Sequence, residues 1–200
     1  LQLENGAIPM TYSANGKLTM NPYFADFAAL ALLDNAAEYA DEVVKYMDWH
    51  FSHLNTAEED FGGLDGTIYD YVITMKDGRI EKEEISDPEN ADPYDTTDSY
   101  AATFLTVVYK YYCKTGDTDY LVNHYQDLLR IANVMLATEQ GGLTYAKRNH
   151  RVKYLMDNCE VYEGFRDLAS LFPEYEEDAK RFKDGIQNSL YATGYYHPAV

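Results

Sequence analysis

Small and apolar residues recur at helical spacing in three long stretches. Each is followed, after a short turn, by a second helical stretch that carries charges along one face. The first pair covers "NPYFADFAALALL" (21–33) and "AAEYADEVVKYMDWHFSHL" (36–54), with Pro22 well placed in a first helical turn. The second covers "DSYAATFLTVVYKYYCK" (98–114) and "DTDYLVNHYQDLLRIANVMLAT" (117–138). The third covers "DNCEVYEGFRDLASLF" (157–172) and "EYEEDAKRFKDGIQNSLYA" (174–192). This pattern predicts a single all-α domain built from three helical hairpins, each with a buried inner helix and a solvent-facing outer helix.

The turns within pairs are short: "DN" near 34, "TGD" at 115–117 and "PE" at 173–174. The connections between pairs are long, covering 55–97, 139–156 and the residues after 192. Antiparallel hairpins place like connections at the same end, so the long segments gather on one rim. Three of them carry Gly followed by aromatics: "GGLDGTIYDYVI" (62–73), "GGLTYAKRNH" (141–150) and "TGYYHPAV" (193–200). Gly after a helix is an ordinary stop signal, whereas the aromatics behind it suit a ligand-facing edge. "TIYDYVI" alternates as a short strand does, and "KDGR" at 76–79 suits a tight turn, so a small β-hairpin fits the 62–80 region. The acidic run "EKEEISDPENADPYD" (81–95) reads as a solvated loop, with a calcium site as the lesser alternative.

Composition narrows the function classes. The chain has 200 residues, is 46% hydrophobic and has a formal charge of −18, which suits one globular core and argues against a nucleic-acid partner. No apolar run approaches the roughly 20 residues of a membrane span. Cys113 and Cys159 lack metal-ligand spacing and fall in helical patterns. They read as buried free thiols, which slightly favours a reducing, cytoplasmic setting. An export signal removed before Leu1 would be compatible with a secreted chain. Tyrosine stands out, with 20 residues against one Trp. Its flat face and hydroxyl suit sugar stacking, although most tyrosines in helical proteins simply pack.

Asp98 and Asp157 both open inner helices at the decorated rim, 59 residues apart. Either can be an N-cap, and Asp157 with Glu160 resembles a capping box. Two carboxyl groups facing one hollow would also serve glycosidic cleavage, one donating a proton and one activating water or attacking. Asp65, Asp70, Asp95 and Glu160 compete for these roles. His50 and His53 lie three apart on a helix but lack a third ligand, so they suit the helix C-terminus better than zinc. "YAKRNHRVK" (145–153) is the basic cluster of an acidic chain, read as a solvated loop or as a holder of an anionic or polyhydroxylated ligand. Nucleotide-binding and serine-hydrolase motifs are absent from the sequence. No cofactor or metal is expected.

Repeated inner and outer helices with aspartates opening the inner ones resemble the six-hairpin (α/α)6 toroid glycosidases. "TTDSYAATFL" and "KYLMDNCEVYEGFRDLASL" look most like the two Asp-bearing segments of the unsaturated glucuronyl and rhamnogalacturonyl hydrolases. That resemblance implies half of an (α/α)6 toroid acting on an oligosaccharide, with Asp157 as acid/base and Asp98 as its partner. Tyr23, Asp65, Tyr69, Asp70, Tyr100, Tyr145, Lys147, Arg148 and Asn158 are the expected substrate contacts. A complete toroid has twelve helices and needs about 300 residues, so the chain is expected to be truncated. Two other functions fit the same pattern: a non-catalytic carbohydrate-binding or accessory protein, and a helical protein-interaction module.

Overall fold

The computed structural model describes residues 2–12, 15–87 and 93–200. Strands β1 (Thr11–Tyr12) and β2 (Lys17–Met20) precede α1 (Pro22–Leu32) and α2 (Ala36–Ser52). Strands β3 (Tyr71–Lys76) and β4 (Arg79–Ile85) follow, then α3 (Asp98–Thr115), α4 (Thr118–Asn123), α5 (Tyr125–Ala137), α6 (Leu155–Leu171) and α7 (Glu176–Gly185). A terminal hairpin is formed by β5 (Tyr191–Ala192) and β6 (Tyr195–Tyr196). Helix α3 packs between α1 and α6, while α2, α5 and α7 pack against α1, α3 and α6 respectively. The expected inner row and outer row are therefore present in this helix-rich chain.

Local chemistry explains the inner helices. Asn21 caps α1 by accepting from the Phe24 N–H at 3.1 Å, and Pro22 occupies a position whose N–H would have no helical partner. Helix α3 is buried along most of its first eleven residues and ends at Gly116, whose φ of 70° admits the left-handed turn. Around Phe104, fully buried, lie the stacked ring of His50 at 3.5 Å and the edges of Tyr46 and Phe51. Helices α3 and α6 approach closely because position 164 is glycine. A Cβ there would stand 2.9 Å from the Ala102 carbonyl oxygen and 3.0 Å from its Cα, both backbone atoms. Gly164→Val is accordingly expected to lower the unfolding free energy by about 1–3 kcal/mol, read as a lower urea midpoint with an unchanged slope.

The all-α expectation is corrected by a four-stranded antiparallel sheet in the order β1-β2-β3-β4. The expected turn is present, with Asp77 (φ 49°) and Gly78 (φ 77°) joining β3 to β4. The strand before it starts at Tyr71 rather than within "TI". Residues 79–85, part of which was expected to be loop, form β4, with Ile80 and Ile85 packed on the core and its charged residues turned largely to solvent. Trp49 Nε1 donates to Glu83 at 3.0 Å and ties α2 to that strand. Residues 88–92 of the expected acidic loop lie outside the described residues.

Outer helices also differ from expectation. The 117–138 helix breaks at His124, whose backbone leaves helical geometry while its ring stacks on Phe51 at 4.2 Å. The 174–192 helix starts with a short 3-10 turn (Pro173–Tyr175), loosens into a π turn (Ile186–Leu190) and gives way to β5. Cys113 and Cys159 are free, as expected, but both are exposed rather than buried. Among the described residues no group of acidic, His or Cys side chains is arranged to hold a metal. His53 sits at the C-terminus of α2 beside the Trp49 carbonyl at 2.7 Å, and His50 belongs to the core. Among the described residues no helix is long and apolar enough to cross a membrane.

Candidate active site

A cleft of about 710 Å³ opens at the rim where the inner helices begin. Asn21, Tyr23 and Phe24 reach it from the start of α1, Asp95, Thr96, Ser99 and Tyr100 from the approach to α3, and Tyr154, Met156 and Asp157 from the start of α6. The 146–150 loop adds Ala146, Lys147, Asn149 and His150, and the C-terminal segment adds Pro198. Helix starts thus supply the acids and hydroxyls, and the long connections supply the walls.

Neither aspartate caps its helix. Thr97 holds the N-cap position of α3, making Asp98 the first helical residue, and Tyr154 holds that of α6, making Asp157 the third. The expected capping box is also absent: Glu160 accepts a 2.7 Å hydrogen bond from the Tyr23 hydroxyl instead. Asp98 is fully buried and does not line the cleft. Its carboxylate accepts from the Thr96 hydroxyl (2.5 Å), the Thr144 hydroxyl (2.6 Å) and the Ser99 N–H (2.9 Å). Thr96 Oγ1 also lies 3.5 Å from Asp157 Oδ2, so the two aspartates share one hydroxyl at their boundary.

Asp157 does line the cleft, with only 5% of its surface exposed. Burial pushes its pKa from 3.8 up to about 7, and the negative charges of Asp98, Glu160 and Asp95 push in the same direction. At neutral pH a large share of the molecules therefore carries a proton there. Burial also raises Asp98, opposed by the hydroxyl and amide donors around it. Asp95 is exposed and lines the same cleft.

Aromatic groups form a connected wall. Tyr23 and Tyr100 stack with centroids 6.2 Å apart. The Tyr100 hydroxyl accepts from Asn21 Nδ2 at 2.7 Å and donates to Asp70 at 3.0 Å. Burial raises Asp70 to about 6, and its bond from Tyr100 partly offsets that rise. On the same cleft, His150 lies 3.0 Å from the Tyr154 hydroxyl, and the Lys147 ammonium donates to the Tyr94 carbonyl at 3.0 Å.

Of the residues expected at the site, Tyr23, Tyr100, Lys147 and Asp157 line the cleft, and Asp70 touches it through Tyr100. The others lie elsewhere. Asp65 pairs with Arg130 at 2.9 Å, and Tyr69 is buried between the Glu59 carbonyl and the Phe61 N–H. Tyr145 packs under the Arg151 guanidinium, and Arg148 is exposed beside Gly62 and Gly63. Asn158 is fully buried, holding the Thr144 backbone with both ends of its amide. Asn21, Thr96, Ser99 and Tyr154 were missed. Thr96 and Ser99 flank Asp98 in "TTDSY", so their position beside an acid at a helix start was the available signal.

No protein-family model matches this chain, and no curated protein matches it significantly. What the cleft can do is set by its own side chains. A nearly buried acid that keeps its proton near neutrality, an exposed carboxylate on the same cleft and a wall of tyrosines together suit proton donation to a polar, ring-shaped ligand.

Proposed function

We propose that this chain is a glycoside hydrolase whose general acid is Asp157. The observation that carries the proposal is the placement of Asp157: a carboxyl raised to about 7 on the wall of an aromatic cleft. Cleaving a glycosidic bond requires a proton for the departing oxygen, and a carboxyl titrating near the working pH is best matched to supply it. The second carboxyl role falls to Asp95, which lines the cleft, rather than to Asp98, which is sealed behind Thr96 and Thr144. Asp98 is a positioning residue in this scheme: its charge favours the protonated form of Asp157. Tyr23, backed by the buried ring of Tyr100, would pack on a sugar ring, with Lys147 and His150 toward its polar or anionic groups.

The row of α1, α3 and α6 with outer helices behind it is consistent with three consecutive units of an (α/α)6 toroid. The experiment is incubation with a panel of neutral and uronate-containing oligosaccharides, with products separated by chromatography. The expected outcome is release of reducing ends, with kcat/KM falling as pH rises above about 7 because the acid loses its proton. Tight calorimetric binding without product at any pH would replace the hydrolase with a non-catalytic sugar binder.

A further inference from the structure

Ser99 and Glu160 carry the two buried oxygen atoms beside the cleft that have no hydrogen-bond partner among the described residues: Ser99 Oγ and Glu160 Oε2. They come from neighbouring inner helices, α3 and α6. Burial raises the Glu160 pKa and the nearby Ser99 hydroxyl partly offsets that rise, although no hydrogen bond of ordinary geometry joins the two atoms. The other Glu160 oxygen is already occupied by the Tyr23 hydroxyl at 2.7 Å. Ser99 is 1% exposed and lines the cleft, whereas Glu160 stands behind it.

Buried oxygens without partners are disfavoured in a folded protein, and those that persist commonly await a ligand or serve the chemistry of a site. Other hydroxyls here are consumed: Thr96 and Thr144 bind Asp98, and Thr103 binds Asp26. Ser99 is the hydroxyl left over, on the same cleft as Asp157.

We propose that Ser99 and Glu160 form a hydroxyl-reading subsite beside Asp157, in which Ser99 Oγ donates to Glu160 Oε2 and accepts a hydrogen bond from one ring hydroxyl of a bound sugar. The proposal rests on the glycoside reading of the cleft and adds its specificity. With its hydrogen directed to Glu160, the Ser99 oxygen keeps its acceptor capacity for the ligand. Tyr23 ties the aromatic wall to the same carboxylate, so ring stacking and hydroxyl recognition share one anchor. A sugar lacking the hydroxyl would leave Ser99 with a buried, unmatched acceptor, which is how polar sites reject deoxy analogues.

The test is binding, read by calorimetry and saturation-transfer NMR. The probes are methyl glucopyranosides and galactopyranosides and their singly deoxygenated forms. The unmodified protein is expected to bind a parent glycoside about tenfold or more tighter than one of its deoxy forms. Ser99→Ala should weaken the parent to within about twofold of that deoxy form and leave the deoxy form unchanged. Glu160→Leu removes the acceptor behind Ser99 and also the partner of the Tyr23 hydroxyl, so it should abolish the discrimination and weaken parent and deoxy forms alike. The double variant should match Glu160→Leu, since the Ser99 interaction is already lost there.

Three results overturn the proposal: no glycoside binds, every deoxy form binds as well as its parent, or Ser99→Ala keeps the discrimination. Product formation is scored separately. Discrimination without cleavage keeps the subsite and removes the hydrolase, and cleavage without discrimination does the reverse.

Discussion

Asp157→Asn is expected to lower turnover by about 10²–10⁴-fold, the usual contribution of a positioned general acid, while the variant melts within a few degrees of the parent. The amide fills the same space and carries no charge, so it relieves the repulsion from Asp98, Glu160 and Asp95 that lifts the native carboxyl. It cannot donate a proton to a departing oxygen. The loss should therefore depend on the leaving group. Aryl glycosides with acidic phenols, which depart unprotonated, should keep far more of their rate than alkyl oligosaccharides. The descending alkaline limb near pH 7 should also vanish for the aryl substrates. Full activity of the variant on alkyl substrates would remove Asp157 from the mechanism.

The second large effect concerns stability and lies deeper in α1. Asp26 is fully buried, accepting from the Tyr46 hydroxyl at 2.7 Å and sitting 2.6 Å from the Thr103 hydroxyl. Burial raises its pKa from 3.8 to about 8, against the lowering effect of those two hydroxyls. The folded state therefore holds a proton that the unfolded chain releases near pH 4. The associated stability is fully present below pH 4, declines as pH rises and is gone above about pH 8. The slope is about 1.4 kcal/mol per pH unit for one such group, so several kcal/mol are at stake.

Asp26→Asn should remove that slope. The amide reproduces the protonated form: its oxygen accepts from Tyr46, its NH2 donates to Thr103, and Thr103 turns its own hydrogen to the Ser99 carbonyl 2.9 Å away. Urea titrations from pH 4 to pH 9 should show a flatter profile for the variant and greater stability than the parent at pH 8. A parent and variant with parallel profiles would mean that Asp26 is not the titrating group.

The inner helices were visible in the sequence because a long 3.6-residue pattern survives local exceptions, and the two-row packing followed from the lengths of the connections. Strands of two to four residues carry no such signal, and Leu18 and Met20, although buried, are too few to reveal β2. Strand β4 was hidden by its charges: Lys82 and Glu84 face water, and Glu83 is a partner for Trp49 rather than a loop residue. The thiols were misread because a helical pattern locates a residue on an element without saying which faces have neighbours. Cys113 lies near the end of α3, where burial has largely ceased, and Cys159 sits between buried Asn158 and half-buried Glu160 on a face without cover.

The candidate site was partly visible for the same reason. Topology places all long-connection residues at one end, but only side-chain direction decides which of them meet. Asp157 and Asn158 are adjacent, and a helix turns by about 100° per residue, so one faces the cleft while the other grips Thr144 inside the fold. Asp98 was the right acid to notice for the wrong placement: two threonine hydroxyls and an amide surround it, and three such donors in one short segment and one loop cannot be assembled from linear spacing.

The cleft also has a division of labour between framework and fringe. Asp157 and Ser99 project from α6 and α3, which meet in tight backbone contact at Gly164, so these two side chains are carried by one closely packed helix pair. Lys147, Asn149, His150 and Pro198 belong to connections that are themselves fastened to the helix starts, the Thr97 N–H donating to the Ala146 carbonyl at 2.7 Å and the Leu155 N–H to the Pro198 carbonyl at 2.8 Å. Asn149 and His150, exposed on the 146–150 loop, are the side chains whose exchange would reshape the cleft wall while leaving those backbone ties in place.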